Sequence, residues 1–293
     1  MEDVSLVLDP DTEDSSPATR LIAPWWHTAA ILLILAAWAI LSGNRKRDYV
    51  GMPHVVTYIS MMLMSWMLFG ATIAGIFDRG AFFFATLRHR AHSFFVDACY
   101  GLAIYFGIFL SAVVILIVFF TATVATHHVP VQPTVSSQAE SAPATPLPLP
   151  APDDPASPLA KSRLQFDSKT MHAIAPQTPL DLLLWLAVSF TAGFCEEHIF
   201  RGYLLTQAIA FVRRAGMPHV FSLMVSIVFT SLLFGSLHLY EGTGGALIIA
   251  ALGAIYSVLA LKLGNLRAVI AAHFLQDFCA GVFLFFAHAR LAH

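Results

Sequence analysis

The chain has 293 residues, and its composition excludes an ordinary water-soluble globule. Hydrophobic residues make up 57% of it and charged residues only 12%, against about 45 to 50% and about 25% in soluble domains. So few charged side chains cannot cover a soluble surface, and a net charge of -2 gives no basic field for a nucleic-acid backbone. We therefore expect an integral membrane protein with no nucleic-acid partner.

The first part of the chain is predicted to contain an acidic tail and three transmembrane helices. Residues 1–22 form the tail, which lacks the basic segment that a secretory signal requires. Residues 23–126 contain three apolar runs, at about 23–42, 55–77 and 95–126, each long enough to span a bilayer. The third run exceeds the thickness of a bilayer core, so it has to tilt, break or project.

The second part begins with a loop and continues with four more apolar runs. Residues 127–178 are rich in Pro, Ala and Ser, a composition that cannot pack a core. Residues 179–293 hold the four runs and are predicted to form a second helix bundle. The sequence thus predicts an all-α polytopic transmembrane bundle of about seven spans, or eight if the third run breaks. The four later runs lie at about 180–212, 220–240, 245–263 and 266–289.

Ionisable residues interrupt these later runs, although a charged group at the bilayer centre costs about 2.5 to 3.5 kcal/mol on insertion scales. In TAGFCEEHIFRGYLL, Glu196 and Glu197 are adjacent and Arg201 follows four residues after the second glutamate. Glu197 and Arg201 share a helical face and can pair, which leaves Glu196 as the less neutralised acid and the candidate general base. The plainer interpretation is a buried ion pair with a spare glutamate. His198 is interpreted as structural.

Two further clusters contain histidine. Phe234 and His238 stand four residues apart on one predicted helical face, and so do His273 and Asp277. Taken singly, the first pair is explained by a core histidine and the second by a histidine with its orienting carboxylate. Taken together with the glutamates, the three clusters supply the groups that activate a water, provided that their helices converge.

Counting along straight helices sets the two histidines at different depths. His238 lies about 27 Å along its run from Val220, whereas His273 lies only about 10 Å along its own from Leu266. The two can meet only if the helices tilt or begin at unequal depths.

Other intramembrane chemistries lack their motifs in this chain. There is no HExxH pair of zinc ligands and no GxGD aspartyl motif. Ser236 precedes His238 without a surrounding GxSxG, so a serine mechanism is the weaker protease alternative. Cys99, Cys195 and Cys279 lie in apolar runs and are interpreted as small buried hydrophobes.

The three clusters carry a family resemblance. EExxxR at 196–201, FxxxH at 234–238 and HxxxD at 273–277 resemble, in this order, the three motifs of the CPBP intramembrane metalloproteases. That family includes type II CAAX prenyl endopeptidases and bacteriocin-processing or immunity-type membrane proteases. EEHIFRG is also similar to the EExxFRG of the family, and the resemblance extends over roughly residues 180–289.

The resemblance implies a role for each motif residue. Glu196 would act as general base on the attacking water, and Glu197 would assist it or pair with Arg201. His238 and His273 would position the water or a metal.

The resemblance also implies a divalent metal, with Zn²⁺ as the candidate. Asp277 stands where the family often has Asn, and an ionised Asp cannot donate a hydrogen bond to an oxyanion. We therefore expect it to ligate or orient rather than to stabilise the oxyanion, unless it is protonated. The metal ligands would be Glu196, His238, His273 and Asp277.

We expect an intramembrane endopeptidase that hydrolyses a membrane-associated or lipidated peptide entering from the lipid bilayer. The expected location is a bacterial inner membrane, and a prenylated substrate is expected only in a cell that prenylates. The alternative is a non-catalytic membrane protein, either a proton-coupled carrier or a scaffold, in which the same groups form a proton relay.

Overall fold

The structure, a computed structural model, has only helical secondary structure in the residues that it describes, as the composition predicted. The predicted acidic tail 1–22 lies outside these residues apart from its last two, and so does most of the predicted loop 127–178. The described residues are 21–44, 52–77, 93–126, 170 and 173–291.

The main α-helices follow the predicted apolar runs closely. A π-helical segment, His198–Leu204, joins α4 to α5, and a short 3-10 turn, Leu239–Glu241, precedes α7. The α-helices are α1 Trp25–Asn44, α2 His54–Phe77, α3 Phe94–Thr126, α4 Pro179–Glu197, α5 Leu205–Arg214, α6 His219–Ser236, α7 Gly242–Leu263 and α8 Arg267–Leu291.

Within the described ranges, six helices are long and apolar enough to cross a membrane. The run Pro179–Arg214, which joins α4, the π segment and α5, is one of these six. The predicted first span is present as α1, but its apolar part, Trp25–Leu41, is shorter than the others. The protein is an all-α, multi-pass membrane protein.

A complete capping box starts α4. The Thr178 side chain accepts a hydrogen bond from the Asp181 amide at 3.1 Å, and the Asp181 carboxylate accepts one from the Thr178 amide at 2.9 Å. Pro179 occupies the first turn, where its missing N–H is no loss. His54 of α2 also contacts the Asp181 carboxylate at 3.1 Å, so this end of α4 is anchored to α2.

The other end of α4 widens into the π segment. The Leu205 amide donates to the Phe200 carbonyl, a bond that spans five residues instead of four. All seven residues of the segment are buried. Such wide turns are rare and occur frequently at functional sites, so this one marks the region that follows the two glutamates.

One predicted boundary was wrong. α6 ends at Ser236, so His238 does not share a continuous α-helix with Phe234 as the spacing predicted. The His238 amide donates to the Gly235 carbonyl at 3.0 Å, which closes the helix in a tighter turn. Gly242 follows with a φ of 89°, a conformation that favours glycine and turns the chain into α7.

The chain divides into two compact units, and every predicted site residue lies in the first. The first unit comprises Met1–Phe106 and Gln165–His293, and the second comprises Gly107–Leu164. In the first unit, α4 packs between α2 and α8, while α6 packs against α5 and α7. The π segment therefore lies among helices from both parts of the chain.

Candidate active site

A buried ion pair occupies the centre of the site. The Arg201 guanidinium donates to Glu197 Oε1 at 2.9 Å, and both side chains are at most 1% exposed. This is the pair that the i,i+4 spacing predicted. Arg201 also donates to the Gly253 carbonyl of α7 at 3.2 Å. The arginine thus connects the π segment to α7 as well as to the glutamate.

Aromatic rings and a glycine enclose the guanidinium. Arg201 lies 4.6 Å from the centre of the Phe234 ring and 5.8 Å from that of Tyr256, within the range of cation–π attraction. A Cβ at Gly253 would lie 3.2 Å from both the arginine and the Phe234 ring. The close approach of α7 to Arg201 therefore needs a glycine at this position.

His273 joins the ion pair to two further carboxylates. Its Nδ1 lies 2.8 Å from Glu197 Oε1, and because the paired carboxylate can only accept, Nδ1 carries the proton. Its Nε2 lies 3.4 Å from Asp277 Oδ2 and 3.8 Å from Glu196 Oε2. The imidazole is thus fixed by Glu197 on one side and presents its other nitrogen to Glu196 and Asp277.

The two adjacent glutamates differ in what they contact. Glu197 is fully buried and engaged by Arg201 and His273. The Glu196 side chain is 24% exposed, and its Oε2 is buried without a hydrogen bond to the described residues. Glu197 Oε2 is likewise without a hydrogen bond to the described residues, so the exposed fraction of its side chain is what distinguishes Glu196. Glu196 is therefore the glutamate that is available to a water.

His238 reaches the same region from the turn after α6. Its Nδ1 lies 3.0 Å from the Phe234 carbonyl, which can only accept, so Nδ1 is the donor and Nε2 is left to act as an acceptor. The Phe234 ring is centred 5.0 Å from the ring of His238 and 6.2 Å from that of His273. The two histidines that the count along straight helices set at different depths thus both lie near the Phe234 ring.

The structure therefore brings the predicted site residues into one region, though not into equal contact. Contacts of at most 4 Å connect Glu196, Glu197, Arg201, His273 and Asp277. For His238 the described contact with this group runs through the Phe234 ring, whose centre lies 5.0 Å from the His238 ring and 6.2 Å from the His273 ring.

Tyr256 is a site residue that the sequence interpretation missed. Its ring is centred 5.9 Å from the His273 ring, and its hydroxyl donates to the Gln276 side chain at 2.9 Å. The available signal was a tyrosine followed by a serine in an otherwise apolar membrane helix. Polar groups in such helices face the bundle interior, so Tyr256 could have been assigned to the site.

The contacts of His198 match its interpretation as a structural residue. Its Nδ1 donates to the Phe194 carbonyl at 2.6 Å, and its ring packs 4.3 Å from the Phe194 ring. Phe69 of α2 packs on it at 5.5 Å. These contacts direct His198 toward α2 rather than toward Glu196.

The predicted metal ligands do not form a metal centre as they stand. In the part of the chain that the structure describes, no three His, Cys, Asp or Glu side chains are arranged to hold a metal ion. The nitrogen of His273 that faces Glu197 is already engaged. Its other nitrogen lies 3.4 Å from Asp277 Oδ2 and 3.8 Å from Glu196 Oε2, so these side chains contact one another. A metal held by these residues stays a prediction.

Comparison with known families agrees with the site. Residues 178–279 match the family model of the type II CAAX prenyl endopeptidase Rce1-like proteins. The matched segment runs from the N-cap of α4 into α8 and contains all the predicted site residues. No curated protein and no solved structure is matched. Over this segment the chain is similar to the type II CAAX prenyl endopeptidase Rce1-like family, in agreement with the resemblance that its three motifs carry.

Proposed function

We propose that the protein is an intramembrane endopeptidase in which Glu196 activates a water. The observation that carries this proposal is the gap of 3.8 Å between Glu196 Oε2 and His273 Nε2. The gap is too long for a direct hydrogen bond, and in the proposed site one water bridges the two atoms. The carboxylate oxygen has no other hydrogen-bond partner among the described residues.

In the proposed reaction, Glu196 accepts a proton from the water as its oxygen attacks the carbonyl carbon of the substrate. The C–O bond that forms converts the carbonyl oxygen into an oxyanion. The C–N bond then breaks, and the proton held by Glu196 passes to the leaving amine. One water is consumed, and a carboxylic acid and an amine are produced.

The remaining groups hold and balance this centre. Glu197 fixes the ring of His273 through Nδ1, and Arg201 holds that glutamate in place. Asp277 faces His273 Nε2 and orients it, because an ionised carboxylate cannot donate to the oxyanion. His238, once its Nε2 is protonated, supplies a donor to the oxyanion.

The substrate is proposed to be a peptide held in or at the membrane. The site lies on membrane-spanning helices, so a lipid-anchored or transmembrane peptide can approach it sideways from the bilayer. The matched family is described by its action on prenylated CAAX proteins, and a prenylated peptide is therefore the first substrate to test. Peptide maturation of the bacteriocin-processing kind is the other substrate class.

The test uses the full-length chain in liposomes with a farnesylated CAAX peptide and an unprenylated transmembrane peptide as alternative substrates. Glu196→Gln keeps the shape of the side chain but removes the base. We expect the wild type to release a fragment and Glu196→Gln to lower kcat by roughly 10²- to 10⁴-fold. Glu140→Gln, the same change outside the described residues, is the matched control and retains full activity.

Two outcomes would contradict the proposal. Equal cleavage by the wild type and Glu196→Gln would remove the glutamate from the chemistry. Failure of the wild type to cleave either peptide, together with proton-coupled uptake of a solute, would favour the carrier alternative.

A further inference from the structure

Helix α1 lies outside the segment that matches the family, but it packs into the core of the site. Ile31 and Leu35 are buried, and they share one apolar cluster with Phe200 and Phe234. On the opposite face of the helix, Leu33 is exposed. The buried face of α1 is thus committed to the helices that carry the motifs.

A chain of hydrogen bonds connects this face of α1 to the π segment. His27 Nε2 lies 3.0 Å from the Ala71 carbonyl, which can only accept, so in the neutral ring Nε2 carries the proton and Nδ1 is an acceptor. The Tyr203 hydroxyl, 2.8 Å from Nδ1, is therefore the donor to His27. Tyr203 then accepts from Thr28, whose hydroxyl lies 2.9 Å away.

Gln207 anchors the Thr28 end of this series of hydrogen bonds. Its amide nitrogen donates to the Ala23 carbonyl at 3.0 Å and to the Thr28 hydroxyl at 2.7 Å. Its amide oxygen accepts from the Ile22 amide at 2.8 Å. The Thr28 hydroxyl also lies 3.4 Å from the Pro24 carbonyl, and each partner is buried or half-buried away from water. Loss of one member would leave its neighbours unsatisfied in a low-dielectric environment.

The π segment is consequently held from two sides. Arg201 binds the Gly253 carbonyl of α7, and two residues later Tyr203 binds His27 and Thr28 of α1. A regular α-helix after Glu197 would place these later side chains at different angles, because the wide turn changes the register. The two anchors therefore stabilise the turn that sets Arg201 and Glu197 relative to His273.

We propose that Tyr203 is a positioning residue, through which α1 fixes the π segment and the catalytic glutamates that precede it. The inference rests on the proposed function for its effect on cleavage, but its structural part does not. Misplacement of catalytic groups by about 1 Å costs on the order of 10²-fold in rate. We therefore expect Tyr203→Phe to lower kcat by roughly 10- to 100-fold with KM unchanged.

Tyr58→Phe is the matched control. The Tyr58 hydroxyl is also buried and donates to one carbonyl, that of Ile174, at 2.8 Å, far in sequence from the π segment. Both variants remove one phenolic hydroxyl and keep the ring, so both are expected to lower the melting temperature. A purely structural role predicts equal kcat for the two, whereas a positioning role predicts a loss in Tyr203→Phe alone.

A second pair of variants tests the partner on α1. Thr28→Ser keeps the hydroxyl that contacts Tyr203 and is expected to retain wild-type kcat. Thr28→Val has the same shape without the hydroxyl and is expected to behave like Tyr203→Phe. Equal kcat for the serine and valine variants would overturn the proposal.

The experiment measures peptide cleavage and hydrogen–deuterium exchange of residues 198–204 in the full-length chain in liposomes. We expect exchange in this segment to rise about tenfold or more in Tyr203→Phe and to stay unchanged in Tyr58→Phe. Unchanged exchange and unchanged kcat in Tyr203→Phe would overturn the inference. If the wild type cleaves nothing, the proposed function fails, and the exchange result alone decides whether α1 fixes this segment.

Discussion

Two regions of the molecule bury polar side chains in contrasting ways. In the family segment the buried groups are charged, and Glu197, Arg201 and His273 neutralise one another. Where α1 meets the π segment, the buried groups are a hydroxyl chain that involves Thr28 and Tyr203. Charged groups need partners far more than neutral ones do in a membrane, so loss of a single member should cost much more in the first region.

The largest effect is expected from Arg201→Met. The change leaves Glu197 as a buried charge whose main counter-ion is gone, and breaking such pairs costs about 3 to 5 kcal/mol of unfolding free energy. The double variant Glu197→Gln/Arg201→Met removes both charges and should recover most of that loss without recovering cleavage. Denaturant unfolding in detergent measures both. Additive losses in the double variant would contradict the ion-pair account.

His238→Ala should reduce cleavage strongly with little effect on stability. The side chain is bonded to the Phe234 carbonyl at the end of a helix, so its removal disturbs little packing, but the oxyanion loses a donor. We expect kcat to fall by roughly 10²- to 10³-fold, measured beside the melting temperature. A variant with wild-type kcat would exclude His238 from the reaction.

A chelator assay on the same preparation tests the predicted metal. Hydrolysis by Glu196 and water alone predicts that kcat survives prolonged chelation, whereas the predicted metal requires that kcat be lost. Loss of activity on chelation that returns with Zn²⁺, and with it a wild-type melting temperature, would establish the metal and contradict the metal-free steps.

Alanine substitutions at two glycines compare the stability of a packed helix contact with that of an open one. A Cβ at Gly281 of α8 would overlap the indole of Trp185 on α4, whereas a Cβ at Gly70 of α2 would meet nothing within 4 Å. Gly281→Ala should destabilise the protein by about 1 to 3 kcal/mol, and Gly70→Ala should stabilise it by up to about 1 kcal/mol. Equal unfolding free energies for the two variants would show that α4 and α8 do not pack as described.

The smallest effect is expected from Asp277→Asn. The proposed task of Asp277 is to orient His273, and an amide oxygen can still accept from that ring. We expect kcat to change by less than about tenfold. A loss as large as that of Glu196→Gln would require a direct role for Asp277 in the chemistry.

The sequence predicted the charged region well, for a physical reason. Lipid excludes charge, so Glu197 and Arg201 at a spacing of four stand out in an apolar run, and the structure contains that pair. The spacing could not predict the π segment or the end of α6 before His238. Both depend on partners from other helices, such as the Gly253 carbonyl, which no local pattern identifies.

The sequence did not predict the hydrogen bonds between α1 and the π segment, and the reason is the complementary one. Threonine, tyrosine and glutamine are tolerated in membrane helices, so Thr28 and Tyr203 carry no signal of their own. His27 lies near the start of the first apolar run, where a polar residue is ordinary. Their connection appears only when α1 is placed beside the π segment, which is a tertiary fact.

The central claim is that water attacks the peptide bond directly, with Glu196 as its base. The most direct test is a single-turnover reaction quenched at successive times and followed by the intact mass of the protein. We predict that the protein mass stays constant while the product forms, with one ¹⁸O in the new carboxyl group when the reaction runs in H₂¹⁸O. A transient adduct that carries the mass of the N-terminal product fragment would contradict this account and indicate a covalent nucleophile.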